Sequence, residues 1–193
     1  MVCSYYGRTA FKVQSGEDVV AIDPFGKGEG FTPPRFEAHV VTLSDRHQKD
    51  FSIAGNPMIF STPGEYEARG ILFMGIPTPE GTAFFIDWEG LRLLHLGSIE
   101  KKSSIEPALD QIEAVDILMI SSSGSPTEAQ KIVALIDPRI IIPMQGYGAK
   151  KSSLENFIKE IGEKPEKLDK LTVKKKGLPV DSQRLVVLET PGT

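Results

Sequence analysis

Cysteine is almost absent from this sequence. Cys3 is the only one among 193 residues. A single thiol cannot form an intramolecular disulfide, and it cannot supply the several cysteine ligands of a structural zinc cluster. The sequence therefore lacks the disulfide framework that is typical of small secreted domains.

Long apolar segments are also missing. No stretch approaches the roughly 18 consecutive apolar residues of a membrane span. Residues 1–13 lack the apolar centre of a secretory signal peptide. We therefore expect no membrane partner and a cytoplasmic location.

The chain has no excess of basic residues. Its 22 Lys and Arg are outnumbered by 26 Asp and Glu, which gives a formal net charge of -4. The dense basic run from Lys174 to Lys176 lies between short strand-like segments, as is typical of a solvated turn. A chain of this charge has no general attraction to phosphate backbones, so we expect no nucleic-acid partner.

What the sequence does contain is ordinary globular composition, with 40% hydrophobic and 25% charged residues. Its length accommodates one hydrophobic core better than two. We therefore predict a single domain over residues 1–193.

The first half of the chain consists of apolar runs of strand length, each closed by Gly, Pro, Asp or Ser. These runs cover residues 10–13, 19–22, 39–43, 58–60, 71–76, 83–88 and 91–96. Glu89 and Gly90 predict a tight hairpin turn between the last two runs. This half is predicted to be rich in β-strands.

The second half alternates helices with strands. Ser125, Pro126 and Glu128 form a capping box that predicts a helix ending at Asp137. Further helices are predicted over residues 104–112 and 152–162, and strands over 117–120, 140–144, 171–173 and 185–188. A β-meander followed by a βαβαβ pattern predicts an α/β sandwich, in which two sheets pack face to face with helices outside.

Several short motifs occur in a specific order. They are Gly7-Arg8, Ile22-Asp23-Pro24-Phe25, the segment 40–50, Pro63-Gly64-Glu65-Tyr66-Glu67, Gly75-Ile76-Pro77, the segment 90–98 and Pro143-Met144-Gln145. As an ordered set they resemble the small bacterial "Zn-dependent hydrolase of the β-lactamase fold" branch of the metallo-β-lactamase superfamily, over roughly residues 4–147. The resemblance implies an αββα sandwich of two mixed sheets, with a cleft at one edge built from loops at strand ends.

In working members of that family, a His-x-His-x-Asp-His motif follows a strand and binds one or two divalent metals. The metals activate a water molecule as the nucleophile. A later aspartate, a histidine soon after Gly-Ile-Pro and a final histidine complete the ligand set, and the second of these is missing here, where Thr78, Pro79 and Glu80 stand instead. The positions of this sequence that match the family's ligands are Asp45, His47, Lys49, Asp50, Ser98 and Gln145.

Among the four ligands of the His-x-His-x-Asp-His motif, only His47 is retained. Lys49 places an ammonium group, which has no lone pair to donate, where a metal-binding carboxylate is expected. The resemblance therefore implies a degenerate site, in a protein that has lost metal-dependent hydrolysis and has no resident metal cofactor. On this interpretation the chain is not an enzyme, and its cleft binds an unidentified small molecule or a partner protein.

An alternative interpretation is open at this point. Asp45, His47 and Asp50 are all groups that bind divalent metals. They would form a weak, altered site for zinc or another divalent ion in a metal-dependent hydrolase.

Other polar features favour structural interpretations. His39 and His95 lie on predicted strands, where a histidine is typically packed or hydrogen-bonded. Glu65 and Glu67 are interpreted as solvated carboxylates of a Pro-Gly turn.

Overall fold

The computed structural model describes residues 1–27, 30–48, 50–145 and 151–190, without the side chain of Lys151. Lys49, one of the predicted site residues, lies outside the described residues.

Among the described residues, nine strands come first, three helices then alternate with two strands, and three short strands follow the last helix. The strands are β1 (Val2–Gly7), β2 (Ala10–Ser15), β3 (Asp18–Ile22), β4 (Val40–Thr42), β5 (Met58–Phe60), β6 (Gly64–Ala68), β7 (Ile71–Thr78), β8 (Gly81–Trp88), β9 (Leu91–His95), β10 (Ile117–Ser121), β11 (Ile140–Met144), β12 (Pro165–Leu168), β13 (Leu171–Thr172) and β14 (Arg184–Leu188). The helices are α1 (Lys102–Ile105), α2 (Pro126–Ile136) and α3 (Lys151–Ile161), with 3₁₀ turns at Glu106–Gln111 and Lys175–Gly177.

The strands assemble into two mixed sheets. The six-stranded sheet has the order β13-β1-β2-β3-β4-β5, and the eight-stranded sheet has the order β12-β14-β11-β10-β9-β8-β7-β6. Strands β6 to β9 pair antiparallel, as short hairpin connections require, whereas β9, β10, β11 and β14 pair parallel through helical crossovers. The hairpin predicted at Glu89 and Gly90 is confirmed between β8 and β9.

The main core lies between the two sheets and is built from alternate residues of each strand. Phe11 and Ile22 of one sheet and Phe84 and Leu93 of the other belong to this buried cluster. Because side chains alternate across a strand, the intervening residues face outward and need a second covering layer. On the eight-stranded sheet that layer is made by the described helices, and their apolar residues belong to a separate cluster.

The six-stranded sheet is covered by irregular chain. Phe36, Phe51 and Ile53, from the segment between β3 and β5, pack on Val19 and Val41. This covering brings the segment that carries the metal-motif positions onto the sandwich. The architecture is the predicted α/β sandwich.

Helix α2 begins and ends as its sequence predicts. The Ser125 hydroxyl oxygen accepts a hydrogen bond from the Glu128 amide, Pro126 opens the first turn, and Asp137 adopts a left-handed conformation at the end. The helix predicted over residues 104–112 is different, because α1 ends at Ile105 and a 3₁₀ helix containing Pro107 follows. None of the described helices is both long and apolar enough to cross a membrane.

Candidate functional site

Ser44 fixes the start of the loop that carries the metal-motif positions. Directly after β4, its amide donates to Asp23 Oδ1 over 2.6 Å and its hydroxyl donates to Asp23 Oδ2 over 2.5 Å. Its carbonyl accepts a hydrogen bond of 2.9 Å from the Thr82 amide. The loop is thereby tied to the end of β3 and to β8, which belongs to the other sheet.

Two glycines allow this close packing around Ser44. At Gly97, φ is +56°, and a Cβ atom would lie 2.6 Å from both Cβ and Oγ of Ser44. At Gly81, a Cβ atom would lie 2.4 Å from the Ser44 carbonyl oxygen. Any larger residue at Gly97 would displace Ser44 or the turn after β9, which explains the glycine in the His-Leu-Gly motif.

His95 lies behind this hydrogen-bonded group and is fully buried. Its Nε2 lies 2.9 Å from the Thr9 carbonyl oxygen, which can only accept, so Nε2 carries the proton. Burial lowers the pKa of His95, although the Asp23 carboxylate and the Thr9 hydrogen bond act in the opposite direction. Asp23 Oδ2 lies 3.9 Å from Nε2. Because the net effect lowers the pKa, the imidazole beneath the floor of the site is neutral at pH 7.

A cleft lies above Ser44 and has two adjoining parts that share Ser44 and Asp45. The smaller part has a volume of about 370 Å³ and the larger about 440 Å³. Other residues that line the smaller part are Arg8, Thr9, Asp23, Phe25, Gln48 and Ser98. The larger part is walled by the ends of β7 and β8 and by the loop between β5 and β6.

Three of the predicted site residues line this cleft, and the backbone of a fourth, Gln145, is linked to it through Tyr5. Asp45 lines both parts, Ser98 the smaller part and His47 the larger part. The Gln145 amide donates to the Tyr5 hydroxyl, which in turn donates to the Arg8 carbonyl, each over 2.8 Å.

Asp50 is not among the residues that line the cleft. Its carboxylate packs against Gly26, in the chain that follows β3, so closely that a Cβ atom on that glycine would clash with it. His47 lines the larger part of the cleft.

The carboxylates at the cleft are already engaged with the protein. Asp45 Oδ1 accepts a hydrogen bond of 2.8 Å from the His47 amide, and both oxygens of Asp23 accept from Ser44. His47 Nε2 lies 3.4 Å from Arg46 Nε on the exposed surface.

The family resemblance implies a metal at this place, so the available donors must be compared with what a metal requires. Across the described ranges, no three His, Cys, Asp or Glu side chains converge on a common point. A catalytic zinc ion usually has three protein ligands and an open position. The described residues therefore do not fit a catalytic zinc site.

Sequence reasoning missed three polar residues of the cleft floor as site residues. Asp23, Ser44 and Thr9 form this floor together with His95. The Asp23-Pro24 pair after β3 and the serine two residues after β4 were available signals, because polar residues at strand ends line clefts in sandwich folds.

Comparisons with known proteins agree with this architecture. A protein of the metallo-beta-lactamase superfamily from Thermotoga maritima superposes with a TM-score of 0.80 and 23% identity, over 98% of this chain and 100% of the other. Igni18, a metallo hydrolase from Ignicoccus hospitalis, has a TM-score of 0.60 and 16% identity, over 100% and 96%. The metallo-beta-lactamase fold protein YhfI from Bacillus subtilis has a TM-score of 0.56 and 13% identity, over 98% and 96%.

At these identities the structural similarity establishes the fold alone. Comparison with curated proteins gives no matching relative. The family model described as "Beta-lactamase superfamily domain" matches residues 3–145. That range includes the whole cleft and confirms both the resemblance and the fold class. The chain therefore belongs to the beta-lactamase superfamily and has the metallo-β-lactamase fold.

Proposed function

We propose that this protein has kept the metallo-β-lactamase fold but no longer performs metal-dependent hydrolysis, and that the cleft around Ser44 and Asp45 binds a small polar ligand. We propose further that the protein is a single domain, that it is cytoplasmic and that it holds no resident metal. The observation that carries it is the dispersal of donor groups at the family's metal position.

The orientation of the donors supports loss of the metal. Asp45 and His47 face the cleft, whereas the Asp50 carboxylate packs against Gly26. Both oxygens of Asp23 are occupied by Ser44. A metal would have to break these hydrogen bonds or move a loop before it gained a third protein ligand, which would lower its affinity.

The charge at the cleft supports the same conclusion. Arg8 lines the smaller part, with Cζ 5.8 Å from the centre of the Phe25 ring. The sequence also places Lys49 at a position where working relatives have a carboxylate ligand. Cations near the family's metal position repel a divalent ion.

The size and lining of the cleft support ligand binding. Each part falls in the range of roughly 300–1,000 Å³ that is usual for small-molecule pockets. The walls present hydroxyl groups from Ser44, Thr62, Thr78 and Ser98 beside charged side chains. Such walls favour a small polar molecule over an apolar one.

The alternative, a hydrolase with a weak metal at Asp45, His47 and Asp50, requires these three side chains to converge. The described geometry disfavours it, because Asp50 packs against Gly26 outside the cleft lining and no three described donor side chains converge.

The catalytic part of the proposal is tested by hydrolysis assays. Wild type and His47→Ala are assayed with phosphodiester, thioester and β-lactam substrates, with and without added zinc, manganese or iron. We expect no turnover that depends on metal. Hydrolysis that requires a metal and disappears in His47→Ala would overturn the proposal and favour the alternative.

The binding part is tested separately by ligand-observed NMR with a mixture of nucleotides, amino acids and sugar phosphates. We expect at least one compound to bind wild type and the remote surface variant Asp181→Leu, but not Asp45→Leu. If no compound binds, or if Asp45→Leu binds equally well, the cleft is not the proposed ligand site.

A further inference from the structure

The helical layer covers the outer face of the eight-stranded sheet only in part at β6, β7 and β8, where Phe85 and Met74 still pack on the helical cluster but Leu72 is exposed. The pairing register places Glu67, Leu72 and Asp87 in one row across these strands. The next row contains Glu65, Met74 and Phe85. Leu72 is 55% exposed and lies beside the partly buried Met74 and the buried Phe85, so apolar side chains are contiguous here.

This face forms a shallow groove of about 250 Å³. Leu72, Met74 and Phe85 contribute its apolar floor, and Gln111 and Glu113 form a wall where the 3₁₀ helix after α1 ends. Elsewhere on the same face, Ile105, Ile132 and Phe157 belong to the cluster that joins the helices to the sheet. The groove therefore begins where this protein's own helical layer stops.

The rim of the groove is acidic. Four carboxylates border it: Glu65, Glu67, Asp87 and Glu113. Arg92 pairs with Asp87 at 3.5 Å and also with Glu113. Within the described part of the chain, no ion pair involves Glu65 or Glu67, so the β6 side of the groove has uncompensated negative charge.

These charges restrict what can cover the groove. Anionic lipid and nucleic acid are repelled by the same carboxylates. A second copy that used the same face would bring the same excess of carboxylates, so the two faces would repel each other overall. A partner that buries Leu72 and Met74 must therefore carry positive charge beside its apolar side chains.

The spacing of the apolar floor suits a helix. Leu72 and Met74 are two residues apart on one strand face, which separates them by about 6.7 Å. Side chains four residues apart on a helix surface are separated by about 6 Å. A helix in this groove would also continue the layer formed by α1, α2 and α3.

We propose that the outer face of β6–β8 is a docking surface for a basic amphipathic helix of a partner protein. Its apolar stripe covers Leu72 and Met74, and its Lys or Arg side chains pair with Glu65 and Glu67. The surface is separate from the cleft at Ser44, so this inference does not depend on the proposed ligand.

The test uses a fluorescently labelled helical peptide of about 18 residues, or five turns, with leucines in one stripe and lysines elsewhere. Two control peptides have the same composition in scrambled order and the same stripe with glutamates in place of lysines. Anisotropy titrations with the full-length protein are performed at low and high salt. We expect the striped basic peptide to bind more tightly than either control, and less tightly at high salt.

Variants locate the binding surface. Glu65→Lys combined with Glu67→Lys removes the two proposed ion pairs with lysines of the peptide and adds charge repulsion. We therefore expect the affinity for the peptide to fall about tenfold or more. Leu72→Ser should weaken binding at all salt concentrations, and because Leu72 is exposed the fold should persist, as circular dichroism will show. The matched control, Glu163→Lys with Asp181→Lys, changes the net charge equally on another part of the surface and should bind much more tightly than the β6 reversal.

Three results would overturn this inference. In the first, the scrambled peptide binds as well as the striped one. In the second, the control reversal weakens binding as much as the β6 reversal. In the third, sedimentation shows a dimer of this protein that Leu72→Ser dissociates, which would assign the face to self-association.

Discussion

Among individual residues, Ser44 has the largest influence on the cleft. All three of its polar groups are engaged, with Asp23 on one side and Thr82 on the other. Gly97 allows this arrangement because its missing side chain leaves room for Ser44. The position of the loop after β4 therefore depends on packing between residues that are distant in sequence.

Gly97→Ala should destabilise the protein more than its backbone conformation alone requires. Gly16 provides a matched control, because its φ of +57° is nearly identical to that of Gly97 but no atom lies within 4 Å of its Cβ direction. We expect Gly16→Ala to lower the free energy of unfolding by about 1 kcal/mol through backbone strain. Gly97→Ala should lose a further ~1–3 kcal/mol through the clash with Ser44.

Urea denaturation of the two variants provides the comparison. Equal losses for Gly97→Ala and Gly16→Ala would show that the contact with Ser44 is not restrictive.

His95 should make stability depend on pH. Burial lowers its pKa in the folded protein below the value in the unfolded chain, so the unfolded state binds more protons as the pH falls. Its contribution is fully present above the unfolded pKa of about 6.5 and is lost as the pH falls toward the folded value. One proton gives a slope of at most about 1.4 kcal/mol per pH unit.

His95→Gln retains an amide donor for the Thr9 carbonyl but cannot titrate. We expect its free energy of unfolding to vary less than that of wild type between about pH 7.5 and 5.5. Below this range carboxylates also titrate, so the comparison stops there. If the free energy of unfolding of wild type and His95→Gln changed equally with pH, the pH dependence would not arise from the buried, neutral imidazole of His95.

At the level of secondary structure, the sequence was informative wherever a strand is buried. Strands β3, β8 and β11 were predicted because apolar residues face the core on one side and another buried layer on the other. Glu65 and Glu67 were interpreted as solvated carboxylates of a Pro-Gly turn; both are exposed, but the turn was wrong, because residues 64–68 form strand β6. Tyr66 stacks on Phe60 with ring centroids 4.4 Å apart, while Glu65 and Glu67 face outward, so this edge strand has little apolar sequence.

Some site residues could be predicted from sequence motifs, whereas contacts between residues distant in sequence could not. Asp45 and Ser98 were placed at one cleft by family motifs, and the structure brings them together. The hydrogen bonds from Ser44 to Asp23 join residues 21 positions apart, and no local pattern indicates such a contact. The orientation of Asp50 toward Gly26 likewise depends on how two loops pack.

For the whole molecule, the sandwich explains how metal ligands can be replaced without loss of the fold. The main core is an apolar cluster between the two sheets, with residues such as Phe84, Leu93 and Ile142 completely buried. Its burial does not involve Asp45, His47, Asp50, Ser98 or Gln145, the metal-motif positions among the described residues, which lie on loops. Substitution at those positions therefore changes chemistry with little effect on the main source of stability.

The same architecture supplies a positive control for the loss of metal binding. A variant that combines Asp45→His, Lys49→Asp, Asp50→His, Ser98→Asp and Gln145→His restores the family's ligand types at the matching positions. Because the described members of this set lie on loops outside the main core, we expect this variant to fold. The added imidazoles and carboxylates should raise its metal affinity.

Elemental analysis of the purified protein tests the central claim most directly. Wild type, His47→Ala and the restored variant are expressed with added zinc, manganese and iron, dialysed, and analysed for bound metal. We expect wild type to contain far less than one metal ion per chain and to resemble His47→Ala, whereas the restored variant approaches about one or more. Near-equimolar metal in wild type that is lost in His47→Ala would contradict the account.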